Sequence, residues 1–457
     1  MKISRRQLGF GMGGMAFAGI AARAWADSGV PVHGEFEVKG YGDLVTDPNK
    51  LLDLPKGFSY QVISRFTNIM DDGYIVPNAA DGMGAFDLGN GKVGLIRNHE
   101  LSPRDLRFGP FTDKVGKDVP AFDWMSKEEM PAPGGTTSMI YDMQSGKVEA
   151  EWLSLIGTIR NCSGGITPWG SWLTCEETVT KAGDGVGKDH GWVFEIPMAQ
   201  KGLADPVPLK AMGRFNHEAA AVDPKSGIIY LTEDRGDGLF YRFIPNEKGN
   251  LAAGGKLQAL SLGGLDPRNW DKASVETGQK LSVSWIDLDN VESPEDDLRT
   301  RGIAAGAAPF ARGEGIYWGE GEFYFACTNG GAKKFGQIFR YTPSKVEGQK
   351  GEIKKGQSGI LELFVESTNP AFYNYGDNLC VMPNGHLMVC EDQYTAITAN
   401  HLRGIDASGK SYIFGRSHIQ TEFAGACFSP DGSVMFVNLY SPTMTLAIKG
   451  PWKSISG

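Results

Sequence analysis

Apolar and polar residues alternate along this chain in short runs, and a glycine-containing turn precedes each run. GNGKVGLI, PWGSWLT, DPKSGIIYLT, GEGEFYFACT, PNGHLMV and SPDGSVMFV are too short for amphipathic helices and rich in β-branched and aromatic residues, so the pattern predicts strands. The runs exit into polar residues: Asn98-His99-Glu100, Cys175-Glu176-Glu177, Thr232-Glu233-Asp234, Cys327-Thr328-Asn329, Cys390-Glu391-Asp392 and Val437-Asn438. Several units carry a further polar residue about 15 positions upstream of the exit, namely Cys162, Glu218, Glu314 and Asp377. Two strands joined by a tight turn set such entry and exit residues side by side.

A second pattern is in step with the first. Gly191-Trp-Val-Phe-Glu-Ile-Pro, Gly238-Leu-Phe-Tyr-Arg-Phe-Ile-Pro and Gly336-Gln-Ile-Phe-Arg-Tyr-Thr-Pro each read as a third strand, with fainter forms at 137–146 and 401–409. Multi-strand repeats of unequal length predict an all-β fold, a six-bladed β-propeller with loop insertions and a metal site on its axis. Six exits imply six blades, with five or seven left open. The expected organisation is an export signal at 1–26, an N-terminal arm at 27–49 and one propeller at 50–457. Residues 100–133, 178–190, 246–280, 284–305 and 344–357 read as surface loops.

The N-terminus changes the picture of where the chain works. Ser4-Arg5-Arg6-Gln7-Leu8, a short apolar stretch to Ala22 and Ala24-Trp25-Ala26 form a twin-arginine signal with a cleavage site. The expected location is periplasmic or secreted, and the translocase of that route is a partner during export. No other stretch approaches the ~18 apolar residues of a membrane span, so no stable membrane association is expected. Without residues 1–26 the 45 basic residues lose Lys2, Arg5, Arg6 and Arg23, while all 54 acids remain, and the formal charge goes from −9 to −13. That balance argues against a nucleic-acid partner. A monomer is expected.

Six cysteines in an exported chain would ordinarily pair. Cys175, Cys327 and Cys390 instead sit at equivalent places just before polar exits, which suggests buried fillers of a tapering strand. Cys162 stands apart in a glycine-rich turn. Four entries and exits in register with the repeat would bring carboxylates together, and charges ~4 Å apart repel by ~4 kcal/mol at intermediate dielectric. Cations are therefore required. Oxygen ligands alone suit Ca²⁺ or Mg²⁺, whereas a thiolate among them suits iron or zinc. His217 adjoins Glu218, and strand neighbours face opposite ways, so His217 reads as a packing or supporting residue.

Cys162-Ser-Gly-Gly-Ile-Thr-Pro-Trp-Gly-Ser-Trp-Leu-Thr-Cys-Glu-Glu177 resembles the signature of the PhoX-type alkaline phosphatases. Asn98-His99-Glu100, Arg214-Phe-Asn-His-Glu-Ala-Ala-Ala-Val-Asp-Pro, Arg312-Gly-Glu-Gly, Asp377-Asn378-Leu and Cys427-Phe-Ser-Pro-Asp-Gly are similar to it in the same order. The resemblance implies a six-bladed propeller holding two irons and several calcium ions, and hydrolysis of phosphate esters. Monoesters are the main expected substrates, with diesters open. By motif match it places Cys162, Glu218 and Glu314 on iron-ligand positions and Glu177 on a metal-binding position. Asp234, Asp377 and Asn378 fall on the calcium side, and Arg312 on a phosphate-binding arginine. Gly313 departs from the family, which has proline there. A calcium-dependent lactonase or esterase and a non-enzymatic ligand-binding propeller stand as alternatives.

Overall fold

The computed structural model describes residues 38–113, 115–349, 351–352, 357–392 and 399–455. Within them, six antiparallel sheets surround one axis. Their innermost strands are Ala80–Gly89, Asn161–Ile166, His217–Val222, Gly313–Trp318, Gly376–Val381 and Phe423–Phe428. We number the blades 1 to 6 in that order. The expected second strands follow each inner strand, and the glycine-led third strands Val193–Pro197, Phe240–Pro245 and Gln337–Thr342 pair outside them.

The chain closes the ring on itself. Ser59–Arg65, from near the start, pairs with Met444–Lys449 and completes blade 6, so the two ends of the propeller are held by one ladder. Just before it, Leu52–Pro55 pairs with Ser411–Ser417 and Leu44–Val45 adds the outermost strand of blade 5. The loop reading of 246–280 and 284–305 is corrected. Gly255–Ser261 and Ser284–Asp287 are the fourth and fifth strands of blade 3, and Lys280–Ser282 edges blade 4. Gly255–Ser261 is buried without alternation from Leu257 to Ser261, and the other two strands are too short to show a period.

Every inner strand carries a bulge at the same height. The extra pairs are Asp81-Gly82, Cys162-Ser163, Glu218-Ala219, Glu314-Gly315, Asp377-Asn378 and Gly425-Ala426, each set against one residue of the second strand. A bulge bends its strand and redirects a side chain. It also shows which cysteines are equivalent: Cys175 and Cys390 face their bulges, whereas Cys327 lies one position later, opposite Gly313. A one-residue slip is invisible in a pattern of period two that reads apolar on both sides. All six cysteines are buried and unpaired.

Glycines allow the inner strands to approach at the bulges. A Cβ on Gly82 would lie 2.6 Å from Ser163 Cα, and one on Gly315 would lie 2.7 Å from Asn378 Cα. Beyond the bulges the inner strands open into an apolar chamber of about 610 Å³, walled by residues that include Trp172, Tyr317, Leu379 and Phe428. Gly315→Ala is predicted to push blades 4 and 5 apart beside Glu314 and Asp377. The expected cost is about 1–3 kcal/mol in chemical denaturation, with a matching fall in bound metal, and an unchanged midpoint would refute the close approach.

Candidate metal centre

The bulges place Asp81, Cys162, Glu218, Glu314 and Asp377 at the start of five inner strands, all buried. In blade 6 the corresponding stretch Phe423-Ala424-Gly425 carries no acid. Ligand atoms fall into three groups, each within 4.8 Å: Asp81, Glu100 and Cys162; Cys162, Glu177 and Glu218; Glu218, Glu314 and Asp377. Cys162 and Glu218 each belong to two groups, so the three form one continuous cluster. Cys162 Sγ lies 3.3 Å from Glu177 Oε2.

The exit pairs divide their work. The first acid of each pair is directed into its own blade. Glu176 accepts from the backbone of Ile159, Gly191 and Trp192 and meets His190 Nδ1 at 2.6 Å. Glu233 takes Leu239 N and Tyr241 OH, and Glu391 takes Arg403 and His401. The second member lies on the rim. Glu100, Glu177, Asp234, Thr328, Asp392 and Tyr440 each donate a backbone N–H to the residue just before an inner strand, respectively Ala79, Arg160, Asn216, Arg312, Tyr375 and Glu422. Glu177 and Asp234, expected from sequence, are thus the rim members of their pairs.

Burial and like charge act together on this cluster. Desolvation first, then neighbouring carboxylates, push Asp81, Glu218, Glu314 and Asp377 well above the usual carboxylate range. The same causes push the Cys162 thiol up, with Glu100, Glu218 and Asp81 as the charges. Among the described residues, the ion pairs to the cluster and its rim come from Arg160 and Arg312. Arg312 holds Asp234 through Nε and Nη2, both at 2.8 Å, and reaches Glu314 at 3.1 Å. Arg160 Nη2 reaches Glu100 at 2.8 Å and also bonds Glu177. Asp81 Oδ1 is buried with no hydrogen-bond partner. A buried carboxylate oxygen without a partner is costly unless a proton or a cation meets it.

The remaining expected residues are accounted for. Asn378 donates to Asp377 Oδ1 at 3.1 Å and accepts Gly425 N at 2.5 Å, so it braces the cluster from the chamber side. His217 is buried, stacks on Phe215 with ring centroids 3.5 Å apart and bonds Gly213 O, in keeping with a packing role. Sequence reasoning missed Asp81, Glu100 as a cluster member, and Arg160. Two signals were present: Asp81-Gly82 repeats the acid-then-small form of Glu314-Gly315, and Arg160-Asn-Cys repeats Arg312-Gly-Glu.

Under Glu177, His190 is sandwiched between Glu176 and Asp123, with Nε2 3.1 Å from Asp123 Oδ2. Burial opposes its charge, but the two carboxylates outweigh burial and hold it up to about 9. A raised folded pKa stabilises fully below the free value of 6.5 and is lost as pH rises through 9. His190→Gln is predicted to lower stability by about 2–3 kcal/mol at pH 6, and to converge on the parent above pH 9. Urea denaturation across that range checks this, and parallel curves would contradict it.

The family model described as alkaline phosphatase PhoX matches residues 39–443. The structure of Pseudomonas fluorescens PhoX in complex with vanadate, a transition state analogue, superposes with a TM-score of 0.67 at 18% identity, over 91% of this chain and 98% of that one. A gluconolactonase from Xanthomonas campestris reaches a TM-score of 0.39 at 11% identity, over 91% of this chain and 100% of that one. No curated protein sequence matches this chain.

Proposed function

Because the chain belongs to the alkaline phosphatase PhoX family and so is a metal-dependent phosphoric ester hydrolase, we propose that the axial cluster is where it cleaves phosphate esters, monoesters foremost. The observation that carries this reading is the convergence of the buried carboxylates of Asp81, Glu218, Glu314 and Asp377 with the Cys162 thiol. Cys162, Glu218 and Glu314 would hold two irons, since a thiolate donor favours a transition metal. Glu177, Asp234 and Asp377 would hold calcium through oxygen, joined by Asp81 and Glu100 and braced by Asn378. Bound there, the cations supply charge that neutralises phosphoryl oxygens and a more acidic attacking oxygen.

The chain's own part is binding and orientation. Arg312 presents a planar fork that matches two phosphoryl oxygens. Its mounting is rigid: its N–H donates to Arg235 O and its carbonyl accepts Thr328 N. Asp234 grips the Nε–Nη2 edge of the same guanidinium and fixes its plane. Gly313, where the family has proline, leaves this mounting formed. A calcium-only lactonase site would need no thiol, so the buried Cys162 among the carboxylates supports the phosphatase reading over it. The same reading makes Ser4-Arg5-Arg6-Gln7-Leu8, which lies outside the described residues, the signal for twin-arginine export to the periplasm or beyond. Among the described residues no helix is long and apolar enough to cross a membrane. The protein would act as a monomer on small phosphate esters.

Elemental analysis of the exported protein, beside assays of a chromogenic phosphate monoester, a diester and a lactone, tests the proposal. The expected result is about two irons per chain with calcium, and monoester hydrolysis that chelation or Cys162→Ser reduces at least ~100-fold. Calcium without iron and no phosphate release would sink it.

A further inference from the structure

We propose that Arg160 is a second phosphate-gripping arginine, the counterpart of Arg312 on the other side of blade 3; this rests on the reading of the cluster as the phosphate site. The two residues hold the same place in the repeat. Each stands two positions before a bulge ligand, Arg160 before Cys162 and Arg312 before Glu314. Both have left-handed backbone, with φ of 49° and 55°, and both carbonyls accept the N–H of a rim residue. The other four blades place Ala79, Asn216, Tyr375 and Glu422 there, so blades 2 and 4 alone offer a fixed cation at this position.

Their surroundings match as well. Each fork rests on two acids of the cluster or its rim, Glu100 and Glu177 for Arg160, Asp234 and Glu314 for Arg312. Each side chain is more than a third exposed, at 40% and 35%, while the acids beneath are only 6–12% exposed. The guanidinium heads therefore sit at the open end of an otherwise closed site. Arg235, also on the rim, differs: it turns to Asn216 and Asp296, away from the candidate metal groups.

The acids that hold Arg160 belong to two of the three candidate metal groups. Cations that engage Glu100 and Glu177 compete with the guanidinium for the same oxygens. A fork released from its carboxylates at a positively charged site is satisfied by a phosphate dianion. Two forks on either side of blade 3 then hold the phosphoryl oxygens from two directions.

The test is calorimetric binding of inorganic phosphate to metal-loaded protein, with the metal content of every variant measured. Arg160→Ala is expected to weaken phosphate about tenfold at unchanged metal content. Arg160→Lys should recover only part of that loss, because an ammonium keeps the charge but not the fork. Where Arg160→Ala loads less metal, Arg160→Lys decides: weaker phosphate binding at full loading supports the contact, and parental binding overturns it. Parental affinity in a loaded Arg160→Ala, with Arg312→Ala weakened, also overturns it. Parental affinity in both alanine variants would instead refute the cluster as the phosphate site.

Discussion

Four buried carboxylates and a thiol are forced toward one axis by a bulge that recurs at the same height in every inner strand. The bulge is a backbone device, and its cost is small beside the repulsion it creates. The rest of the architecture serves to hold that convergence. Gly82 and Gly315 admit neighbouring backbone at the bulge itself. Ser59–Arg65 closes the ring, so the blades cannot relax outward. A ring that cannot widen keeps its acids together, and they must be met by protons, guanidiniums or metal cations.

The division of the exit pairs follows from the same constraint. An acid one residue earlier on the exit strand faces its own blade and is bonded there by backbone N–H groups and neighbouring side chains, through both oxygens for Glu176 and Glu391 and through one for Glu233. These bonds tie the second strand to the third near the top of the blade. They are what makes the rim stiff enough for Glu177, Asp234 and Asp392 to present their carboxylates at a defined height. A hydrogen-bonded acid beneath an acid meant for metal is a support whose removal would loosen the site without touching it.

Much of this was legible in the sequence because the repeat is spoken twice, once in the glycine-led strands and again in the paired acids. Cys162, Glu218, Glu314 and Asp377 could be found because each lies a fixed distance before an exit. Asp81 was hidden by Ala79-Ala80, which gives its turn no polar signature, and Arg160 by the stronger claim of Cys162 two residues on. Cys327 read as the equal of Cys175 because a string of apolar letters carries no register; only the pairing opposite Gly313 places it one step later. The outer strands of blade 3 read as loops because Leu257 to Ser261 is buried on both faces and lacks alternation, while Ser284–Asp287 is too short to show a period.

The raised proton affinity of the cluster sets what a cation bound there must displace. A propeller whose acids stayed ionised without cations would be split at its axis by their repulsion. Burial and neighbouring acids hold Asp81, Glu218, Glu314 and Asp377 well above their usual range, which strengthens their hold on protons, and Arg160 and Arg312 pair with Glu100 and Glu314. A cation bound here would compete with protons for these oxygens and, at Cys162, with the thiol proton, since a thiol binds metal as the thiolate.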